Sequence, residues 1–383
     1  MPSIAQHIER LPSNQIREIT QAAWATPGAI VLSIGEPAFP VPRHILQAGI
    51  AALDRDETNY TPNEGITPLR SSFAARFAKL NGMDVDPSRV YVTAGAQQGL
   101  HLAMSMLLDA GDEVLIPNPG YPTFTMTAQL VHARPVDYPL RPEHGFQPQI
   151  SDLEELVTDK TRVLVLNSPS NPLGAVFSED LTRDLVRFAR RHDLWILSDE
   201  CYEAFTFGVP HVSPARFDTT NEHVVTSLTL SKTFGLTGLR IGALILPDGM
   251  GRQFNAVMES IVSCVGASPQ YAAVAALTGP EHYIATAAHH YRTNRDTATS
   301  ALKDLNVPFL DAQGAFYLWA DMSHATGGDV RSWARRFLAE QKVAVAPGTA
   351  FGTNGEGWIR IALCGDRDEL ISGLSRLPRR SSI

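Results

Sequence analysis

Five lysines stand against 27 arginines in this chain, and one of the five, Lys232, has neighbours that could make its amine a nucleophile. It lies in Ser227-Leu-Thr-Leu-Ser-Lys232-Thr-Phe-Gly-Leu-Thr-Gly-Leu-Arg240-Ile-Gly242, just past an apolar run and among hydroxyls and glycines, with little carboxylate nearby. Partial desolvation disfavours the ammonium form, so the pKa falls and the free amine can attack a carbonyl. A surface position at a loop is the ordinary reading of an isolated lysine. Lys79, Lys160, Lys303 and Lys342 fit that reading, since all four lie in polar or helical stretches.

Other segments carry groups of use to such a lysine. Asp199, in Leu194-Trp-Ile-Leu-Ser-Asp199-Glu-Cys-Tyr202, follows an apolar run, and the carboxyl ends of buried strands are where α/β sheets place ligand contacts. A helix cap or a salt bridge is the alternative. Asn171, in Asn167-Ser-Pro-Ser-Asn171-Pro-Leu-Gly174, also follows an apolar run, and an Asn-Pro turn is the alternative. Thr93-Ala-Gly95-Ala96-Gln97 is a small-residue turn opening a helix, whose N–H groups could hold a phosphate, or simply a tight connection. Tyr121, between prolines in Pro117-Asn-Pro-Gly-Tyr121-Pro, could stack on a planar ring or staple the sheet. Arg360 lies among apolar residues in Trp358-Ile-Arg360-Ile-Ala. A buried arginine there takes a carboxylate or phosphate through its planar fork, or an internal salt bridge.

The elements that must position these groups alternate in type. Short apolar runs at Arg89 to Thr93, Glu113 to Pro117, Arg162 to Asn167, Leu194 to Ser198, Val224 to Leu230 and Arg240 to Leu246 read as strands. Helical spacing over Gln97 to Leu108 and Ser178 to His192 separates some of them. Apolar strands joined by helices predict a parallel sheet covered on both faces. After a break near Gly279-Pro280, the runs Ala315 to Ala320 and Trp358 to Leu363 with the helix Val330 to Gln341 suggest a smaller α+β domain. The first forty or so residues are punctuated by Pro and Gly and are expected to lie outside the central sheet.

Composition narrows the class. The chain has 383 residues, 44% hydrophobic and 19% charged, with a net charge of -8, so it can bury a core and is a poor match for nucleic acid. Three cysteines, Cys201, Cys264 and Cys364, make no CxxC, which suggests neither a disulfide framework nor a zinc site. The N-terminal stretch lacks a signal-peptide core and no long apolar run is present, so no membrane partner and a reducing, cytoplasmic setting are expected.

Together the segments name a family. Gly35-Glu-Pro37, Asn59-Tyr60-Thr-Pro with Gly65 and Leu69-Arg70, the Gly95 turn, Pro-Gly-Tyr121-Pro, Asn171-Pro, Asp199-Glu-Cys-Tyr202, Ser231-Lys232 with Arg240 eight residues on, and Arg360 occur in this order. The sequence resembles the class I/II aminotransferases of fold type I, which depend on pyridoxal 5′-phosphate (PLP), from about residue 28 to residue 365. The resemblance implies an α/β fold with a large domain, its central mostly parallel sheet flanked by helices, plus a smaller α+β domain. It implies an N-terminal segment, residues 1–45, joining the small domain, a PLP-binding domain over 46–285 and a C-terminal domain over 286–383.

It also implies roles. Lys232 should hold PLP as a Schiff base and later move the Cα proton, and Asp199 should pair with the ring nitrogen. Asn171 and Tyr202 should bond the ring 3-oxygen, and Tyr121 should stack on the ring. Gly95, Ala96, Gln97, Thr229, Ser231 and Arg240 should hold the phosphate. Arg360 should clamp the substrate carboxylate, with Asn171 and Gly35 beside the substrate. Tyr60 should reach the phosphate in a neighbouring subunit, so a homodimer is expected.

The implied activity is transfer of an amino group from an L-amino acid to a 2-oxo acid in two half-reactions. Relatives specific for dicarboxylates often present a second arginine before a Ser-Pro element. Ser260-Ile-Val-Ser-Cys-Val-Gly-Ala-Ser268-Pro269 has none, which favours a neutral or apolar side chain, although Arg17 or Arg292 could supply the charge instead. Ser170, Leu173, Cys201 and Cys364 depart from the commonest family pattern without removing a catalytic group. The same residues also open β-elimination, decarboxylation and oxidative deamination, because PLP carries the chemistry. A PLP-binding regulator without turnover is the other class of reading; such proteins usually add a DNA-binding domain, for which this chain has neither room nor basic arm.

Overall fold

The computed structural model describes residues 2–381. Seven strands form the central sheet: β1 (Val90–Thr93), β2 (Glu113–Asn118), β3 (Arg134–Pro139), β4 (Thr161–Asn167), β5 (Trp195–Asp199), β6 (Val224–Thr229) and β7 (Gly242–Ile245). Their order across the sheet is β1-β7-β6-β5-β4-β2-β3. Neighbours are parallel except at β7, which runs antiparallel to both β1 and β6. The mostly parallel sheet expected from the apolar runs is therefore present. Val163, Leu164, Val165 and Leu166 show why such runs lack alternation: all four are buried, because helices cover both faces.

Two details differ from the sequence reading. Edge strand β3 has no apolar signature, since Pro135, Asp137 and Pro139 interrupt it, and prolines are tolerated at an edge where no ladder bond is lost. The run expected to start a strand at Arg240 starts it at Gly242 instead. Arg240 sits in the left-handed region at φ 54°, in the turn before the strand.

Register brings the chemical groups to one sheet edge. Asn167 ends β4 opposite Asp199, which ends β5 opposite Ser227 of β6. Thr229 and Thr93 both pair with Gly242. Helices then hold the edge in place. Glu179–Arg191 is capped by Ser178, whose Oγ accepts the Leu181 N–H at 3.2 Å, and buries Leu185, Val186, Phe188 and Ala189. Ala96–Leu107 leaves the end of β1 through Gly95 and buries Leu100, Leu102, Ala103 and Met104.

A smaller antiparallel sheet follows, ordered Ala346–Pro347, Trp358–Ala362, Tyr317–Asp321, Phe309–Leu310. Ile30–Val31 pairs in parallel with Val343–Ala344, and the Ala362 N–H donates to the Leu32 carbonyl at 2.8 Å. The chain's start is thereby laid along the strand that carries Arg360.

Candidate active site

Lys232 lies on the four-residue helix Leu230–Thr233, directly after β6. Thr229 Oγ caps this turn by accepting the Ser231 N–H at 3.1 Å. Lys232 Nζ donates to the Gly35 carbonyl at 2.9 Å, and burial holds its pKa below the ordinary lysine range. The next residue is anchored too. Thr233 Oγ bonds Glu203 at 3.3 Å, and Arg76 pairs with the same carboxylate at 2.8 Å.

Asp199 ends β5 in a nearly closed environment, 4% exposed. Its Oδ1 accepts the Cys201 N–H at 3.2 Å, and no cation among the described residues forms an ion pair with it. Burial pushes this carboxyl up to about 6, against the Cys201 hydrogen bonds and the charge of Lys232. The internal salt bridge left open by the sequence is therefore not formed, and the acid remains available to a bound cation.

Arg360 is 2% exposed and likewise pairs with no carboxylate among the described residues. Nη1 donates to Asn171 Oδ1 at 2.8 Å and Nη2 to the Ser33 carbonyl, while Nε is buried without a partner. The guanidinium carbon lies 4.3 Å from the Tyr317 ring centroid and 4.9 Å from that of Phe351. Asn171 is held in turn, its N–H donating to Asn167 Oδ1 at 2.8 Å. An unpaired buried guanidinium is a site for an anion.

An anion cradle forms at the other end. Gly95 has φ 78° and no side chain caps the helix that it opens. A Cβ there would come 2.4 Å from Arg240 Nη2, so the arginine lies directly over the turn. Arg240 Nη1 donates to the Thr237 carbonyl at 2.8 Å and approaches Ser231 Oγ at 3.5 Å. Gly95, Ala96, Ser231 and Arg240 thus converge on one point with the helix N–H groups. Gln97 turns an exposed side chain outward, and Gln98 folds back instead to accept the Ala94 N–H at 2.6 Å. Thr229 Oγ donates to the Ile241 carbonyl at 3.3 Å in addition to its cap.

Three tyrosines complete the wall. The Tyr202 and Tyr317 hydroxyls are 2.9 Å apart. Tyr121 stands edge-on to Phe124, and its loop is tied down by the Gly120 N–H donating to the Phe351 carbonyl at 2.7 Å. Burial raises the Tyr121 phenol, with the charges of Asp199 and Cys201 adding to the shift. Tyr60 is not gathered with these residues by any hydrogen bond, and its side chain is 92% exposed.

Tyr317, Phe351 and Ser33 belong to this site, and nothing in the sequence singles them out. Tyr317 is legible there only as part of a strand, and Phe351 lies in a short 3-10 turn without a motif. Ser33 contributes a carbonyl, which any residue has.

An acid without a cation, an anion cradle at a helix start, and a lysine whose pKa burial lowers fit one ligand. PLP carries a phosphate, a protonatable ring nitrogen and an aldehyde. The comparisons with known proteins agree. The model of the family described as aminotransferase class I and II matches residues 27–377. An aspartate aminotransferase of Pyrococcus horikoshii is 33% identical over 98% of this chain and 96% of its own length. An aromatic-amino-acid aminotransferase of Thermococcus litoralis is 34% identical over 98% of both chains. The solved structure of Thermus thermophilus aspartate aminotransferase with maleate superposes with a TM-score of 0.93, at 31% identity, over 98% of this chain and 99% of that one. With the fold, the cradle and the buried acid in agreement, the chain belongs to the class I and II aminotransferases, PLP-dependent enzymes of fold type I that move amino groups between amino acids and 2-oxo acids.

Proposed function

We propose that Lys232, Asp199, Tyr202, Asn171 and Arg360 carry amino transfer in this enzyme, and that its preferred amino acids have neutral or apolar side chains. The observation that carries the reading is Arg360, buried, fixed by Asn171 and unpaired, in the same site as an amine with a lowered pKa. When bound, PLP supplies a carbonyl carbon for the substrate amine and a ring that accepts electrons. The chain's residues do the rest. Arg360 fixes the substrate carboxylate and so selects which Cα bond faces the ring plane. Lys232 would hold the aldehyde carbon through Nζ, and the same amine would take and return the Cα proton. Asp199 keeps a proton on the ring nitrogen, and Tyr202 with Asn171 hydrogen-bonds the ring oxygen. Backbone N–H groups at Gly95, Ala96 and Gln97, with Thr229, Ser231 and Arg240, hold the phosphate, Tyr121 covers the ring, and Gly35 borders the substrate.

The side-chain preference rests on the absence of arginine between Ser260 and Pro269. Relatives named for aspartate and for aromatic amino acids lie at similar identity, so identity alone does not choose between them. We further infer a homodimer in which the exposed Tyr60 reaches the partner's phosphate site, and a division of the chain at about residues 45 and 285. No helix among the described residues is long and apolar enough to cross a membrane, and a cytoplasmic location is our reading.

The test mixes holoenzyme with a panel of amino acids and no acceptor. Transfer converts the visible band of the aldehyde form to that of the amine form, and 2-oxo acids reverse it. Neutral and aromatic amino acids should react faster than aspartate and glutamate. Release of ammonia and pyruvate would move the assignment to a β-lyase, and a band unchanged by every amino acid would overturn it.

A further inference from the structure

Tyr317 touches three separate parts of the site. Its hydroxyl lies 2.9 Å from that of Tyr202, on the large-sheet side. Its ring lies under the Arg360 guanidinium at 4.3 Å, within the small sheet. Its hydroxyl also sits where a Cβ of Gly35 would come within 1.9 Å, against the N-terminal segment. Packing alone explains none of this. Phenylalanine would fill the same volume, and burying a hydroxyl is unfavourable unless it makes hydrogen bonds. At 2% exposure its one hydrogen-bond partner among the described residues is Tyr202.

The hydrogen count leaves the pair one proton to spare, whichever hydroxyl donates. Two phenols at 2.9 Å use one of their two protons between them, which leaves one O–H free. If Tyr317 donates, Tyr202 keeps its proton for a third group, and accepting one bond strengthens the one it gives. The ring has its own function. Tyr317 and Phe351 both lie against the guanidinium, whose donors project in its own plane. Two of those donors are committed to Asn171 and Ser33, and Nε is unpartnered. Without the two rings the fork could tilt out of the plane in which it meets a carboxylate.

We propose that Tyr317 is a positioning residue with two separable roles: its ring holds Arg360 in the orientation that takes the substrate carboxylate, and its hydroxyl directs the Tyr202 proton to the ring oxygen of PLP. The proposal rests on the functional reading above and adds the link between its two halves. Binding of the carboxylate at Arg360 and the electronics of the cofactor are then joined through one side chain.

The test compares wild-type holoenzyme with Tyr317→Phe, which keeps the ring, and Tyr317→Met, which fills the space without one. Two quantities are read: the midpoint of the pH titration of the visible band without substrate, and the dissociation constant of 3-phenylpropanoate, a carboxylate with no amine to react. Tyr317→Phe should raise the midpoint by about half a unit to one unit, the size of one hydrogen bond. It should leave the dissociation constant within about twofold, because the cation–π contact survives. Tyr317→Met should shift the midpoint similarly and weaken the carboxylate about tenfold. Should the Met variant fail to fold, Tyr317→Leu takes its place. A Phe variant titrating like wild type, or a folded ring-less variant binding the carboxylate like wild type, overturns the corresponding role. A wild-type protein with no titrating band would instead overturn the functional reading itself.

Discussion

Lys232 Nζ donates to the carbonyl of Gly35 at 2.9 Å, across 197 residues of sequence. A neutral carbonyl orients the amine without the carboxylate that would lock it as ammonium, so burial can lower its pKa. Lys232→Ala should therefore abolish the cofactor adduct that borohydride fixes, and reduce turnover by at least about 10³-fold. The check is mass spectrometry of the reduced protein beside steady-state rates. An adduct retained by the Ala variant would assign the attachment to another lysine.

Gly95 makes a second prediction. Its φ of 78°, and the 2.4 Å at which a Cβ on it would meet Arg240 Nη2, leave no room for a methyl group without moving the arginine. Gly95→Ala should weaken PLP binding by about tenfold or more, since one charge-assisted bond is worth about 1.5–3 kcal/mol, with Lys232 chemistry otherwise retained. Fluorescence titration of the stripped protein with PLP measures it. Unchanged affinity would place the phosphate elsewhere.

Arg360 offers a test of geometry over charge. Lysine keeps the charge but loses the planar fork that packs against Tyr317 and Phe351 and that bonds Asn171 and Ser33. Arg360→Lys should lower kcat/KM about 100-fold, chiefly through KM, because the loss falls on carboxylate binding. A change confined to kcat would show that Arg360 acts after binding.

How much of this is legible in the sequence depends on whether the signal is local. The strands ending at Asn167 and Asp199 carry near-continuous apolar runs, and the one ending at Thr229 is rich in β-branched residues, so their positions can be read directly. Strand β3 cannot, because an edge with Pro135 and Pro139 carries no such run. The motif residues Lys232, Asp199, Asn171 and Arg360 stand out by type. Tyr317 and Phe351 do not, because what matters about them is proximity to Arg360 in space. The same holds for Arg76, which reaches Glu203 across 127 residues and has no motif of its own.

That pair carries a stability prediction. Arg76 is 14% and Glu203 7% exposed, and Glu203 also bonds Thr233 beside Lys232. Arg76→Met would leave a nearly buried carboxylate unpaired, at a cost of about 3 kcal/mol, the low end for such pairs because some solvent reaches this one. Adding Glu203→Gln should recover part of the loss. Urea unfolding gives both values, and a loss below about 1 kcal/mol would mean that water replaces the arginine.

Asp199 links the site to pH. In the chain without cofactor its pKa is pushed up to about 6 from 3.8, chiefly by burial. The folded state therefore holds a proton that the unfolded state has released between those values. Its contribution to stability is fully present below about pH 4 and is lost as pH rises through about 6. Asp199→Asn never ionises, so cofactor-free Asp199→Asn should gain on cofactor-free wild type over that window. By pH 7.5 the gain should reach about 3 kcal/mol, at about 1.4 kcal/mol per pKa unit. With PLP bound the order should reverse, since the ring cation then compensates the carboxylate in wild type alone. Urea melts of both proteins from pH 4 to 8, with and without PLP, measure the difference. A gap independent of pH would show that Asp199 is already compensated in the cofactor-free chain, and a gap that PLP leaves unchanged would remove Asp199 from the ring nitrogen.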